Sequence, residues 1–272
     1  AQLAFDRDVA AGIMEDAGEL IEAGDYAQAV DRYLSGFELQ RERFIEREYP
    51  ESLVESADQA IAQIRSAADT FLSERSGVLQ AENALVSAIS QRDAGAVNSL
   101  QPPYAQSFVS LADARTRLLT AVRLLAELRS QVAELNPEDP VDWHLRLISQ
   151  FVLGTQATER EGIRGVFDRF LRQSRRRVAD TFAEAEGALW EQGAELAAAA
   201  EYPEARERYG DLASISEAAE VTLTLATPVS DPTGAPLPEI LPEVPGTFRE
   251  NMVSARTTAV AAGLRGQRAA LE

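Results

Sequence analysis

The 272-residue chain has no cysteine, no lysine and a single histidine, His144. Without cysteine there is no disulfide, no thiolate nucleophile and no zinc–thiolate site. Without lysine there is no Schiff-base chemistry, no pyridoxal anchor and no phosphate-loop lysine. All 26 basic residues are arginine. One histidine cannot build a multi-histidine metal centre, and no glycine-rich phosphate loop, carboxylate metal loop or nucleophile elbow is present. These gaps remove most of the usual catalytic repertoire, so the expectation is a protein that is not an enzyme and uses no cofactor or metal. No apolar run is long enough to span a bilayer, and membrane insertion is not expected. The net charge of −18 disfavours nucleic acid and anionic membrane surfaces, both of which select clustered positive charge. It suits a basic partner, or a protein living in high salt.

What is present is a duplication. Ile13, Ala17, Leu20, Gly24, Tyr26, Ala29 and Tyr33 return with identical spacing as Leu189, Gly193, Leu196, Ala200, Tyr202, Ala205 and Tyr209. Asp25 and Glu201 precede the first tyrosine of each copy, and Arg32 and Arg208 precede the second. Steps of three and four residues place Ile13, Ala17 and Leu20 on one helical face. Gly24 stands where that helix must stop, because glycine enters the left-handed region cheaply. Ala29 and Tyr33 open a second face of the same period. The small residues Ala17 and Ala29, or Gly193 and Ala205, let two backbones approach, and the tyrosines fill the space beside them. Each copy therefore reads as a helix, a tight turn and a helix packed back on the first.

These residues resemble the tetratricopeptide repeat, whose signature has a small residue in the first helix and then Gly, Tyr, Ala and an aromatic at these spacings. The resemblance implies an all-α array in which the first helices of successive units line a concave groove. It places Met14, Gly18, Ile21 and Glu22 on that groove, with Trp190, Ala194 and Ala197 in the second copy. Trp190 is the natural anchor, a large aromatic facing a groove, with packing on the preceding helix, filling a gap between over-long neighbours, as the plainer reading. Residues 82–108 suggest a degenerate third copy, with Tyr104 and Phe108 as its aromatics.

Apolar periodicity extends the helical reading along the chain. We expect helices over residues 3–23 and 26–49, the latter stopped by Pro50. A third should run over 51–72, with Gly77 a possible break, and a fourth over 79–91. After a turn at Arg92–Gly95, a short piece should end at Pro102–Pro103, followed by a central helix over 104–135. Asp139 and Pro140 open another carrying Trp143 and His144, and a long stretch runs from about residue 158 towards Ala200. Val221, Leu223 and Leu225 alternate with Thr222 and Thr224 at period two. Six of the twelve prolines then lie between Pro228 and Pro245. Residues 221–245 thus read as an extended, polyproline-like connector between a helical repeat domain (1–220) and a last helix (246–272).

Two further groups stand out. Trp143–His144 is a secondary candidate, with a satisfied structural histidine as the plainer reading. Arg172, Arg175, Arg176 and Arg177 form the one basic cluster, explained by solvated ion pairs to Asp168 and Asp180 or by an anion site. The function expected is a scaffold that binds a protein or peptide, basic by charge, in a helix-lined groove. The alternative is an extracytoplasmic binder of a small molecule, held between helices and the apolar Leu237–Val244 stretch of the connector. The lack of cysteine and the Ala1–Gln2 start suit a soluble periplasmic or otherwise extracytoplasmic protein.

Overall fold

The computed structural model describes residues 2–46, 48–135, 163–225 and 247–270. These segments form α1 (Gln2–Glu22), α2 (Tyr26–Glu46), α3 (Glu51–Ser90), α4 (Ala94–Leu135), α5 (Ile163–Ala198), α6 (Tyr202–Leu225) and α7 (Thr247–Ala269). No strand occurs among the described residues, and the all-α reading holds. The helices sort into two compact units, one drawn from 1–76 and 111–169 and the other from 77–110 and 170–272.

Three helix-to-helix turns are built alike. At the α1–α2 turn the N–H groups of Ala23, Gly24 and Asp25 donate to the carbonyls of Glu19, Ile21 and Leu20, at 2.9, 3.0 and 2.8 Å. At the α5–α6 turn Ala199, Ala200 and Glu201 donate to Glu195, Ala197 and Leu196 in the same order. At the α3–α4 turn Gln91, Arg92 and Asp93 do the same to Ser87, Ile89 and Ala88. Each closes with one residue in the left-handed region: Gly24 at φ 82°, Arg92 at 59° and Ala200 at 64°. This arrangement satisfies carbonyls that a helix end leaves open. Asp93 then caps α4, its Oδ1 accepting from the Ala96 N–H at 2.9 Å.

The third hairpin therefore exists, but its register differs from the expected one. Val97 occupies the place of Ala29 and Ala205, and Gln101 that of Tyr33 and Tyr209, counting from the turn residue. Tyr104 and Phe108 are not its repeat aromatics; they stack edge-on further along α4, with ring centroids 4.9 Å apart.

In the first unit, α1 and α2 bury Ile13, Ala17, Ala29, Val30, Tyr33 and Leu34. The start of α3 returns along α2: Arg65 pairs with Glu38, and the Arg75 guanidinium sits 4.6 Å over the Tyr26 ring. In the second unit, α6 is the central rod. It meets α5 through Tyr209, α4 through Gln101, whose Nε2 donates to the Ala218 carbonyl, and α7 through Glu217, which pairs with Arg256. Tyr202 lies against α7, where a Cβ on Gly266 would come within 3.2 Å of its own Cβ. The two repeat tyrosines Tyr26 and Tyr202 thus have matching roles, each packing on the helix that follows its hairpin.

Three expected breaks are not breaks. α3 runs unbroken through Gly77, because Phe71, Val78 and Leu85 are buried on either side of it and outweigh a glycine cost of about 1 kcal/mol. α4 runs through Pro102 and Pro103. Both prolines are exposed, as are Asn98 and Ser99, whose carbonyls lose their usual donors to water. On the opposite side Val97, Gln101, Tyr104, Phe108 and Leu111 are buried and hold the helix in line. Residues 221–225 are the last turns of α6 and not the start of an extended connector. The threonine alternation there imitates a strand, but Thr222 is buried in a helix and its Oγ1 donates to the Ala218 carbonyl at 2.7 Å. The remainder of the connector, with Leu237–Val244, lies outside the described residues.

Candidate functional site

The second repeat copy is the best-formed candidate. Along the last turns of α5, Phe182, Ala185, Leu189 and Gly193 face inward and are buried. One residue after Leu189, the helical period turns Trp190 outward, and 43% of its surface is exposed. The indole does not swing free. Its ring meets Tyr209 edge-on, with centroids 5.5 Å apart and planes at 67°, a geometry that contributes about 0.5–1.5 kcal/mol beyond area burial. Tyr209 is itself buried, seated where Gly193 offers no side chain. The duplicated small-residue and tyrosine pair therefore ends in an exposed, oriented aromatic.

Around Trp190 the surface is small and acidic. Ala194 is exposed beside it and Ala197 is half-buried one turn on. Glu191 and Glu195 are exposed on the same helix. A flat aromatic beside alanines, bordered by carboxylates, can accept an apolar side chain from a segment that also carries positive charge.

The first copy is less complete as a site. Glu22 is exposed and Gly18 half-buried. Ile21 is buried, so its side chain belongs to the core and not to a groove. Met14, the counterpart of Trp190, is on α1, and its side chain is outside the described set. The copies also diverge at the repeated arginine. Arg32 crosses to Asp16 on α1, its Nε donating at 2.9 Å. Position 192, the equivalent of 16, is glutamine, and Arg208 instead pairs within α6 to Asp211 at 2.8 Å. Val9, Gly12, Ile13, Arg32, Ser35, Glu38 and Glu42 line an open groove of about 560 Å³ between α1 and α2. The pocket expected between helices and connector falls outside the described residues, as do Trp143 and His144.

Three of the four clustered arginines go to separate partners. Arg176 makes the solvated pair with Asp180, at 3.8 Å with both side chains mostly exposed. Arg177 donates to Glu82 at 2.8 Å and to Asn83 at 3.0 Å on α3. Arg175 is 4% exposed and donates to the carbonyl of Leu223 near the end of α6, where a positive charge complements the helix dipole. Burial, opposed by nearby Tyr104, pulls its guanidinium below its ordinary pKa.

Beside it the Tyr104 hydroxyl hydrogen-bonds Ser174 at 3.2 Å. Burial pushes that hydroxyl up to about 12, with Glu82 adding to the shift and Ser174 and Arg175 opposing it. This interior polar group was not anticipated from sequence. Its signal was there: Arg175 occupies the apolar phase set by Leu171, Val178 and Phe182. Among the described residues no three His, Asp or Glu side chains converge as a metal would require. None of the helices in these segments is long and apolar enough to cross a membrane. The chain matches no family model, no curated protein and no solved structure.

Proposed function

We propose that this chain is a non-catalytic docking protein of tetratricopeptide-like build, which captures a basic peptide segment on the exposed face of α5. The observation that carries the reading is Trp190, exposed on an oriented ring–ring contact with Tyr209 and bordered by Glu191 and Glu195. A pre-ordered aromatic loses little side-chain freedom on binding, and tryptophan is the residue type most enriched among energetic anchors. The surrounding charge and the net −18 of the chain favour arginine- or lysine-bearing partners. An extracytoplasmic setting is compatible with the same role, since a chain without cysteine has no thiol to oxidise there.

The test uses Trp190 as its own reporter. The chain has two tryptophans, so Trp143→Phe leaves Trp190 alone in the emission spectrum. Titration with synthetic basic amphipathic peptides is expected to shift that emission, and acidic scrambles should not. Trp190→Ala should weaken binding by about 30-fold, the equivalent of about 2 kcal/mol, with an unchanged circular-dichroism spectrum. Peptide binding that is indifferent to Trp190, or a Trp190 signal indifferent to every basic peptide, refutes the reading.

A further inference from the structure

The helix α7 is an exception to the charge of the chain. It carries four arginines, Arg249, Arg256, Arg265 and Arg268, against one glutamate, Glu250. That is a net +3 in a protein whose total is −18. Its inner face is made of small residues and packs closely on α6. Ala255 and Ala262 are buried, and a Cβ on Gly263 would come within 3.2 Å of the Arg206 side chain.

The opposite face is apolar and uncovered. Val253, Val260 and Leu264 are 57%, 63% and 63% exposed. Thr257 lies between them, and its hydroxyl donates to the Val253 carbonyl at 2.9 Å, which leaves its methyl group for the surface. At about 100° per residue these four fall on one line, half a turn from Ala255 and Ala262. The steps of four, three and four residues are those of a helix–helix seam. Eight large apolar side chains are exposed among the described residues, and three of them form this line while the other five are spread over four other helices. Single exposed apolar residues are ordinary; an aligned set is a surface for something.

Charge decides what fits it. Arg256, which also pairs with Glu217 of α6, borders one edge of the seam and Arg268 the other, both exposed. Pairing α7 with α7 of a second copy would set arginine against arginine. An anionic bilayer would have to accept the −18 body with the helix. A helix with its own apolar seam and flanking carboxylates meets neither obstacle. We propose that the outer face of α7 docks an acidic amphipathic helix of a protein partner, laid along Val253, Thr257, Val260 and Leu264 between Arg256 and Arg268. The proposal rests on the reading of the chain as a docking protein, but it uses a different face and a partner of opposite charge from the Trp190 site.

The probe is a synthetic helical peptide with a leucine–valine seam flanked by glutamates, together with its lysine-for-glutamate counterpart, followed by fluorescence anisotropy on the full chain. The acidic peptide is expected to bind and the lysine form to be at least about 10-fold weaker. V260D with L264D should cost at least about 30-fold with no change in melting, since both positions are exposed. R256E with R268E should reverse the preference between the peptides. Trp190→Ala should leave this binding untouched, so failure of either surface is separable from failure of the other. Equal binding of both peptides, or binding of neither, overturns the proposal. So does a concentration-dependent dimer abolished by V260D with L264D, which would assign the face to a second copy. Vesicle binding lost in the same variant would assign it to lipid and overturn the proposal as well.

Discussion

Gly193 and Tyr209 meet with no room between them: a Cβ built on Gly193 would lie 2.8 Å from Tyr209 Cε1 and 2.9 Å from its Cζ. The ring is the far end of a side chain, yet it is held, because Tyr209 is buried and carries the Trp190 indole on its other contact. The first repeat copy admits alanine at the matching position, Ala17, so the close approach is particular to the α5–α6 hairpin.

Gly193→Ala gains about 1 kcal/mol of helix propensity but forces the ring to move, at a cost of about 1–3 kcal/mol. The net expectation is a loss of about 1 kcal/mol and a displaced Trp190. Gly187→Ala lies in the same helix with nothing within 4 Å of its Cβ and should be stabilising by up to about 1 kcal/mol. Urea midpoints of the two variants are expected to move in opposite directions; a shared direction would mean that Tyr209 yields freely.

The turns allow a second opposed pair. Gly24 has φ 82° and open space around its Cβ, so Gly24→Ala carries a purely backbone cost of about 1 kcal/mol. Ala200 already bears that kind of strain at φ 64°. Ala200→Gly should raise stability, by less than about 1 kcal/mol because glycine loses more freedom on folding. Thermal unfolding of both variants against the parent chain checks the signs.

Tyr104 predicts an alkaline limit. Its hydroxyl titrates near 10 when unfolded and near 12 when folded, so below pH 10 both states hold the proton and nothing is lost. As pH rises from 10 to 12 the unfolded chain gives up its proton first, and stability falls by something on the order of 2 kcal/mol. Tyr104→Phe should flatten that part of the curve relative to the parent. Denaturant unfolding at pH 9, 10.5 and 11.5 measures it.

The α1–α2 and α5–α6 hairpins were legible because their residues repeat at fixed spacing, and that pattern directly encodes close packing beside a tyrosine. The α3–α4 hairpin has the same turn hydrogen bonds but was misregistered. Its defining feature is the conformation of Arg92, which no residue type advertises, and Val97 and Gln101 replace the expected alanine and tyrosine. Continuity at Gly77 and at Pro102–Pro103 depends on burial of the opposite faces of α3 and α4, a tertiary effect that outweighs local propensity. The strand-like run at 221–225 misled for a related reason. α6 keeps an exposed stripe through Glu207, Gly210, Ser214 and Glu217, but that stripe passes to Val221 where the threonines begin, and Thr222 is buried, so the local alternation hides the helical period there. At the site, Trp190 could be placed from the repeat register alone, whereas the burial of Ile21 and the seam on α7 required neighbours.

The second unit joins pieces of chain that are far apart in sequence. Tyr104 meets Ser174 across 70 positions, and Gln101 reaches Ala218 across 117. During synthesis the stretch 77–110 leaves the ribosome well before the residues that will cover it. Its apolar side must wait, exposed, until α5 and α6 have emerged. Loop-closure entropy over such spans slows folding, and at roughly 5–20 residues per second the delay lasts several seconds. That interval is where this chain would depend on a chaperone, and where truncation before α5 would leave a nascent product without the helices that close over it.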